Sequence, residues 1–115
     1  MIELSKLPAE VQEAVQRTRE NVARLHAELP RWELVVWTAG NVSERVPGTD
    51  LFVIKPSGVS YDELTADNMV VCDLDGKKIA DGTPDNLSPS SDTAAHAYVY
   101  KHMDEVGGVV HTHST

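Results

Sequence analysis

A change of hydrophobic period at Pro30 is the sequence feature that most constrains the fold of this chain. Before it, apolar residues recur at helical spacing, and the clearest of them are Val11, Val15, Val22, Leu25 and Leu29. After it, apolar residues come in short runs that are typical of strands. The pattern predicts one amphipathic helix over residues 8–28, followed by a set of β-strands.

Several short strand runs follow the helix, and turn sequences separate them. We predict strands at residues 34–38, 42–45, 51–55, 69–74 and 77–80. Pro47–Asp50 and Asp75–Gly76 are typical turn sequences, and they favour antiparallel pairing of the runs that flank them.

A second helix and a last strand complete the predicted order of elements. Ser90 or Ser91 is expected to cap a helix over residues 92–103, and a strand covers 109–113. This order favours an α/β/α layered (α+β) fold, with a largely antiparallel central sheet flanked by helices. A length of 115 residues predicts a single domain over residues 1–115.

Charge and cysteine content argue against several function classes. The chain has 18 acidic and 10 basic residues, a formal net charge of -8, which argues against nucleic-acid or anionic-membrane partners. Its single cysteine, Cys72, lies in an apolar run and is interpreted as a buried strand residue. No apolar stretch approaches the ~20 residues of a membrane helix, and the first residues lack signal-peptide character. We therefore expect a cytoplasmic protein.

Two histidines in the last predicted strand form the strongest chemical pattern. Because side chains alternate along a strand, His111 and His113 are expected to project to one face, with their Cα atoms about 6 to 7 Å apart. That spacing suits two ligands of one divalent cation, although a surface pair or a buried structural pair fits it too. His96 and His102 lie six positions apart on the predicted helix, which argues against a shared metal. His26, near the end of the first helix, is interpreted as a surface or capping residue.

Three polar segments, at residues 38–43, 55–58 and 88–92, combine small residues with hydroxyl or amide groups. Such segments let backbone N–H groups approach phosphate oxygens, and each is also compatible with an ordinary turn or cap. Lys55 supplies a cation, and the last segment opens a helix whose N-terminus favours anions. Together they predict a phosphomonoester pocket. Asp92 either caps the helix or serves as a metal contact or general base.

Four motifs together resemble the class II aldolase and adducin-like family, from about residue 10 onward. They are GNVS at 40–43, FVIKPSGVSYDELTADNMVV at 52–71, SPSSDTAAH at 88–96 and GGVVHTHS at 107–114. Within the family they most resemble the sugar-phosphate 4-epimerases. The resemblance implies interconversion of two phosphorylated pentuloses by retro-aldol cleavage and aldol re-formation of the C3–C4 bond, assisted by zinc.

The resemblance also implies roles for individual residues. The phosphate-binding residues would be Asn41, Lys55, Ser57, Gly58, Ser90 and Ser91. His111 and His113 would bind zinc, with manganese and cobalt as alternatives, and Asp92 would be a catalytic carboxylate at or beside the metal. An aspartate at this position favours an epimerase over the family's fuculose- and rhamnulose-phosphate aldolases, where the resemblance implies a glutamate base.

Three functions stay open on the sequence: a 4-epimerase, a class II sugar-phosphate aldolase, and a non-catalytic adducin-like interaction module. The resemblance implies a homotetramer with sites at subunit interfaces. It also implies a third zinc histidine, a catalytic aspartate and a catalytic tyrosine after the HTHS strand. We therefore expect this chain to be the N-terminal part of a class II aldolase or epimerase domain, truncated after the His-x-His strand and inactive by itself.

Overall fold

The structure is a computed structural model that describes most of the chain. It covers residues 3–31, 41–57, 59, 63–83, 87–90, 93–103 and 107–111, of which 28–31, 41, 110 and 111 are described by their backbone only. The strand predicted at 34–38 lies outside the described residues.

Two helices and four strands form the described part of the fold. The helices are α1 (Ala9–Arg31) and α2 (Thr93–His102). The strands are β1 (Asn41–Arg45), β2 (Leu51–Ile54), β3 (Val70–Asp73) and β4 (Gly108–His111). In the part of the chain that the structure describes, no helix is long and apolar enough to cross a membrane.

The four strands form one antiparallel sheet in the order β3-β2-β1-β4. Central strand β1 pairs with β2 through Ser43 opposite Ile54, and with β4 through Asn41 opposite His111. Strand β2 pairs with β3 through Ile54 opposite Val70. The predicted antiparallel sheet flanked by helices is therefore confirmed.

Helices cover both faces of the sheet, which explains why every residue of β2 is buried. On one face, α1 packs through residues such as Val15 and Val22 against a cluster that includes Val53. On the other face, α2 packs through Ala97 and Tyr100 against a cluster whose strand residues are Phe52, Ile54, Val70 and Cys72. Neighbouring residues of one strand thus enter two different cores, which is the pattern of a layered fold.

Two boundaries differ from the predicted ones. Helix α1 continues through Pro30 to Arg31, three residues beyond the predicted end. The predicted strand at 77–80 is wrong as a regular strand: Lys78 forms a single bridge with Cys72, and the Ile79 N–H donates to the Val71 carbonyl at 3.0 Å.

Cys72 is buried as predicted, and desolvation raises the pKa of its thiol to about 12.

The turn between β3 and Lys78 depends on Gly76, whose φ of +81° lies in the left-handed region. Gly76→Ala should lower the free energy of unfolding by about 1–2 kcal/mol because L-residues are strained there. An added Cβ would meet the Ala97 Cβ at 3.6 Å, an ordinary contact, so the cost arises from the backbone. Urea unfolding measures it. Gly107→Ala is the control, since its Cβ would meet open space without a left-handed φ; equal losses in both variants would contradict the prediction.

Candidate functional site

Three strand ends that carry predicted site residues meet at one end of the sheet. Strand β1 begins at Asn41, β2 ends directly before Lys55, and β4 reaches His111, which pairs with Asn41. Because β1 is antiparallel to both neighbours, its start lies beside the ends of β2 and β4. We call this region, defined by Asn41, Lys55 and His111, the polar end of the sheet.

The second and third polar segments lie side by side at this polar end. The Ser57 N–H donates to the Ser88 carbonyl at 2.7 Å, and the Ser90 N–H donates to the Lys55 carbonyl at 3.0 Å. Between these two bonds, Pro56 and Pro89 form an antiparallel bridge. Segments that are far apart in sequence, 55–57 and 88–90, are thus joined as one unit.

The start of α2 is anchored to the same unit. The Ser90 carbonyl accepts hydrogen bonds from the Thr93 N–H at 3.0 Å and from the Thr93 Oγ1 hydroxyl at 2.5 Å. Helix α2 therefore begins at the polar end of the sheet. Asp92, which directly precedes Thr93 in the sequence, lies outside the described residues, as do Gly58, Ser91 and His113.

The pairing of the two segments bears on how a phosphate would be bound. Backbone N–H groups of the polar segments were expected to approach phosphate oxygens, and two of these groups, those of Ser57 and Ser90, donate to carbonyls of the opposite segment. Their contribution to an anion site is limited to their side chains. The Ser57 side chain is exposed, whereas Ser90 is buried.

Lys55 is buried at the polar end, with only 2% of its surface exposed. Its Nζ donates to the Pro56 carbonyl at 3.1 Å, so the side chain folds back towards the paired segments. A solvated lysine at a strand end would not be held in this way. Because a buried ammonium group is costly unless polar groups surround it, the Pro56 carbonyl stabilises the charged form of Lys55 at this position.

His26 is buried, and its interpretation as a surface or capping residue is wrong. Its Nε2 lies 3.0 Å from the Val42 N–H and must accept that hydrogen bond, so the ring proton sits on Nδ1, which donates to the Val22 carbonyl at 2.8 Å. The pKa of His26 is lowered to about 4, mainly by burial, with smaller contributions from the neighbouring Lys55 and His96. The neutral ring thus connects α1 to the start of β1.

The buried neutral His26 predicts a loss of stability in mild acid. A group whose pKa is 6.5 when unfolded and about 4 when folded contributes fully above pH 6.5 and loses its contribution as the pH falls to 4. The expected loss is about 3 kcal/mol. Urea midpoints measured at pH 7.5 and about 4.5 check it. In His26→Gln, whose amide can both accept and donate, the pH dependence should become shallower; an unchanged slope would contradict the assignment to His26.

A hydrogen-bond network that the sequence interpretation missed links α2 to β1. Ser43 Oγ lies 2.5 Å from His96 Nδ1 and 2.7 Å from the Tyr100 hydroxyl, and all three side chains are buried. The Phe52 and Tyr100 rings pack with centroids 5.0 Å apart. The signal was present in the sequence, since His96 and Tyr100 are four positions apart and so share one helix face. His96 is buried and His102 exposed, which confirms that they face different ways.

Arg45 extends this contact to the C-terminal end of α2. Its Nη2 donates to the Tyr100 carbonyl at 2.6 Å, and its guanidinium lies 5.1 Å from the centroid of the Tyr100 ring. Hydrogen bonding and a cation–π contact thus come from one side chain of β1. Strand β1 holds α2 at two points, Ser43 and Arg45.

Of the three predicted metal ligands, the structure describes only the backbone of His111. The backbone pairing of His111 with Asn41 puts the histidine strand beside β1 at the polar end. Among the described side chains, no three His, Cys, Asp or Glu residues cluster as a metal site, and His113 and Asp92 are not among them. Metal binding by His111, His113 and Asp92 stays a prediction.

Comparison with curated proteins identifies close relatives. The chain is 46% identical over 104 residues to a probable L-ribulose-5-phosphate 4-epimerase, UlaF, of Mycoplasma pneumoniae, a match that covers 90% of this chain and 42% of that protein. It is 46% identical over 101 residues to the L-ribulose-5-phosphate 4-epimerase UlaF of Salmonella paratyphi C, covering 88% and 42% respectively. The chain thus spans less than half the length of these relatives.

Comparison with solved structures and family models agrees with these matches. An L-fuculose 1-phosphate aldolase superposes with a TM-score of 0.76 and 25% identity, covering 86% of this chain and 45% of that one. Residues 20–115 match the model described as the Class II Aldolase and Adducin N-terminal domain. The chain therefore belongs to the class II aldolase and adducin family.

Proposed function

We propose that the protein is a metal-dependent L-ribulose-5-phosphate 4-epimerase, interconverting L-ribulose 5-phosphate and D-xylulose 5-phosphate by cleavage and re-formation of the C3–C4 bond. One observation carries the proposal: the paired segments around Lys55 and Ser90, the start of α2 and the strand that reaches His111 all meet at the polar end of the sheet. The 46% identity to proteins named as this epimerase supports the choice of reaction.

The phosphate side of the proposed site is made of Lys55, Ser57 and Ser90, together with Asn41, Gly58 and Ser91. A chain with a net charge of -8 repels a sugar phosphate at long range, so binding must depend on local groups. The buried charge of Lys55, the hydroxyl groups beside it and the N-terminus of α2 supply such groups. Hydrogen bonding between the two segments holds them together before substrate arrives, which lowers the entropy cost of binding.

A divalent metal ion is the usual cofactor of this family. In the proposed site His111, His113 and Asp92 would hold it, with zinc as the expected ion. Imidazole and carboxylate groups are the donors that zinc accepts, and the pairing of His111 with Asn41 at the polar end of the sheet supports this donor set. The bound metal would act as a Lewis acid on oxygen atoms of the substrate.

The residues of this chain would then retain the phosphorylated half of the substrate. Breaking the C3–C4 bond of L-ribulose 5-phosphate gives the enediolate of dihydroxyacetone and glycolaldehyde phosphate, which must turn before the bond re-forms. A phosphate held by Lys55 and the serine hydroxyls lets the aldehyde rotate without leaving, so the second addition remains effectively intramolecular. Asp92 is proposed to act as the catalytic carboxylate, and the whole protein is proposed to be a homotetramer.

Two other functions are distinguished by their products. A class II aldolase would release free ketone and aldehyde. The likeness to an L-fuculose 1-phosphate aldolase, at 25% identity, supports this second candidate. An adducin-like interaction module would have no turnover. The match to proteins named as epimerases at 46% identity favours the epimerase.

The test incubates full-length protein and zinc with L-ribulose 5-phosphate and follows the products by NMR. We expect D-xylulose 5-phosphate at equilibrium without accumulation of glycolaldehyde phosphate. Accumulation of glycolaldehyde phosphate and dihydroxyacetone would favour the aldolase. Absence of turnover together with absence of bound zinc would overturn the proposal in favour of the interaction module.

A further inference from the structure

We propose that Ser43, His96 and Tyr100 act as a positioning network that sets the height and rotation of α2 against β1, and thereby orients the metal-binding end of the proposed site. This inference rests on the proposed function. It goes beyond it because none of the three residues is among the proposed ligands or phosphate-binding residues.

The geometry of the network is specific. One hydroxyl, Ser43 Oγ, lies 2.5 Å from His96 Nδ1 and 2.7 Å from the Tyr100 hydroxyl. The two partners are one turn apart on α2, so the serine is in contact with two successive turns of the helix. Apolar contacts in the same layer, such as Phe52 with Tyr100, tolerate small sliding of the helix, whereas hydrogen bonds at these distances do not.

The place of Ser43 in the sheet connects the network to both halves of the proposed site. Ser43 is paired with Ile54 on one side and with Val109 on the other. Lys55 directly follows Ile54, and His111 lies two residues after Val109. A shift of Ser43 relative to its neighbours would therefore move both the phosphate side and the histidine strand.

The helix residues of the network belong to α2, which begins at the polar end of the sheet. Asp92 precedes Thr93, the first residue of α2, in the sequence, and the Thr93 N–H donates to the Ser90 carbonyl at 3.0 Å. Arg45 secures the other end of α2 through the Tyr100 carbonyl at 2.6 Å. Because α2 has only 10 residues, these polar contacts fix most of its length. Rotation of the helix about its axis would displace the residue before it.

The three side chains are almost completely buried, at 0% exposure for Ser43 and Tyr100 and 2% for His96. Polar side chains in a core cost free energy to desolvate, and apolar residues of similar size would fill the same space. Groups that hydrogen-bond to a metal ligand typically change metal affinity 10- to 100-fold when they are removed, and the network acts one step further out, through α2 and β1. A positioning role accounts for polar residues at these three buried places.

The test measures zinc affinity of the full-length protein by competition with a chromogenic chelator, and in parallel the urea midpoint of the metal-free protein. We expect Ser43→Ala and His96→Leu each to weaken zinc binding about 10-fold, the lower end of the range for groups that hydrogen-bond to a ligand. His96→Asn keeps a polar atom near the Nδ1 position and should restore affinity to within a few-fold of wild type. Tyr100→Phe keeps the ring that packs on Phe52 and should give a smaller loss of zinc affinity. If the other variants do not fold, this variant tests the inference.

Ile79→Ala is the matched control, because Ile79 is buried on the α1 face of the sheet, away from the network. It should lower the urea midpoint while leaving zinc affinity unchanged. The inference is overturned if wild-type protein binds zinc and the network variants bind it equally tightly, or if Ile79→Ala loses as much affinity as they do. Absence of zinc binding by wild-type protein would overturn the inference and the proposed metal site together.

Discussion

Replacing Asp81 by alanine is expected to lower the free energy of unfolding by about 3–5 kcal/mol, because it removes one partner of a buried charge pair. Asp81 Oδ2 accepts the Val71 N–H at 2.8 Å, and Oδ1 accepts the Thr83 N–H at 3.0 Å and its hydroxyl at 2.6 Å. Arg19 Nη2 lies 3.9 Å from Oδ2 and donates to the Asp81 carbonyl at 3.0 Å. Truncation would leave the Val71 and Thr83 N–H groups without their acceptor. It would also remove the carboxylate that balances the buried guanidinium, which keeps only its bonds to backbone carbonyls.

The pair matters because it joins α1 to the sheet edge. Arg19 also donates from Nε to the Met69 carbonyl at 3.2 Å, next to the start of β3. Urea denaturation of the purified variant measures the loss. Asp75→Ala is the control: it breaks the exposed pair between Asp75 and Lys101, which solvent screens, and should leave the midpoint nearly unchanged. A similar midpoint shift in both variants would contradict the role of the buried pair.

The second large effect concerns the histidine strand. His111→Ala and His113→Ala are each expected to lower zinc affinity and epimerase turnover by more than about 100-fold, since loss of a ligand exceeds the effect of losing an outer-shell group. Chelator competition measures affinity, and conversion of L-ribulose 5-phosphate measures turnover. His102→Ala is the matched control, because His102 is exposed on α2 and packs only against Tyr98 among the ring contacts described. Retention of zinc and turnover in either strand variant would refute the assignment of that histidine.

Local signals in the sequence predicted most of the described elements. The apolar residues at helical spacing gave α1, and the alternation after Pro30 led to β1, β2 and β3 within one or two residues of their bounds. Asp75–Gly76 was expected to form a turn, and the left-handed φ of Gly76 confirms it. Each of these features depends on neighbours in sequence, which is why pattern alone sufficed.

Features that depend on distant partners could not be predicted. His26 looked like a capping residue because its burial depends on β1, and its acceptor role depends on the Val42 N–H. The hydrogen bonds that join residues 55–57 to residues 88–90 could not be read from either polar segment, because each partner belongs to the other segment. A strand at 77–80 looked plausible because its composition was right, but only Lys78 bridges to β3. In each case a tertiary contact overrode a local preference.

In the candidate site too, some features could be predicted from the sequence and others depend on the fold. Family motifs identified its proposed residues, and the roles of Asn41, Lys55 and the serines stay predictions. What the fold adds is the convergence of strand ends, since the order β3-β2-β1-β4 puts Lys55 and His111 on either side of Asn41. The four-residue spacing of His96 and Tyr100 put both on one face of α2, but nothing in the sequence indicated that Ser43 would meet that face.

Crystals of the full-length protein grown with zinc and L-ribulose 5-phosphate test the central claim most directly, through the anomalous scattering of zinc. The account predicts a zinc peak about 2.0 to 2.1 Å from imidazole nitrogens of both His111 and His113. It also predicts phosphate density against Lys55 and the side chains of Ser57 and Ser90. Zinc bound away from the histidine strand, or phosphate bound away from the paired segments, would contradict the claim that the polar end of the sheet is one site.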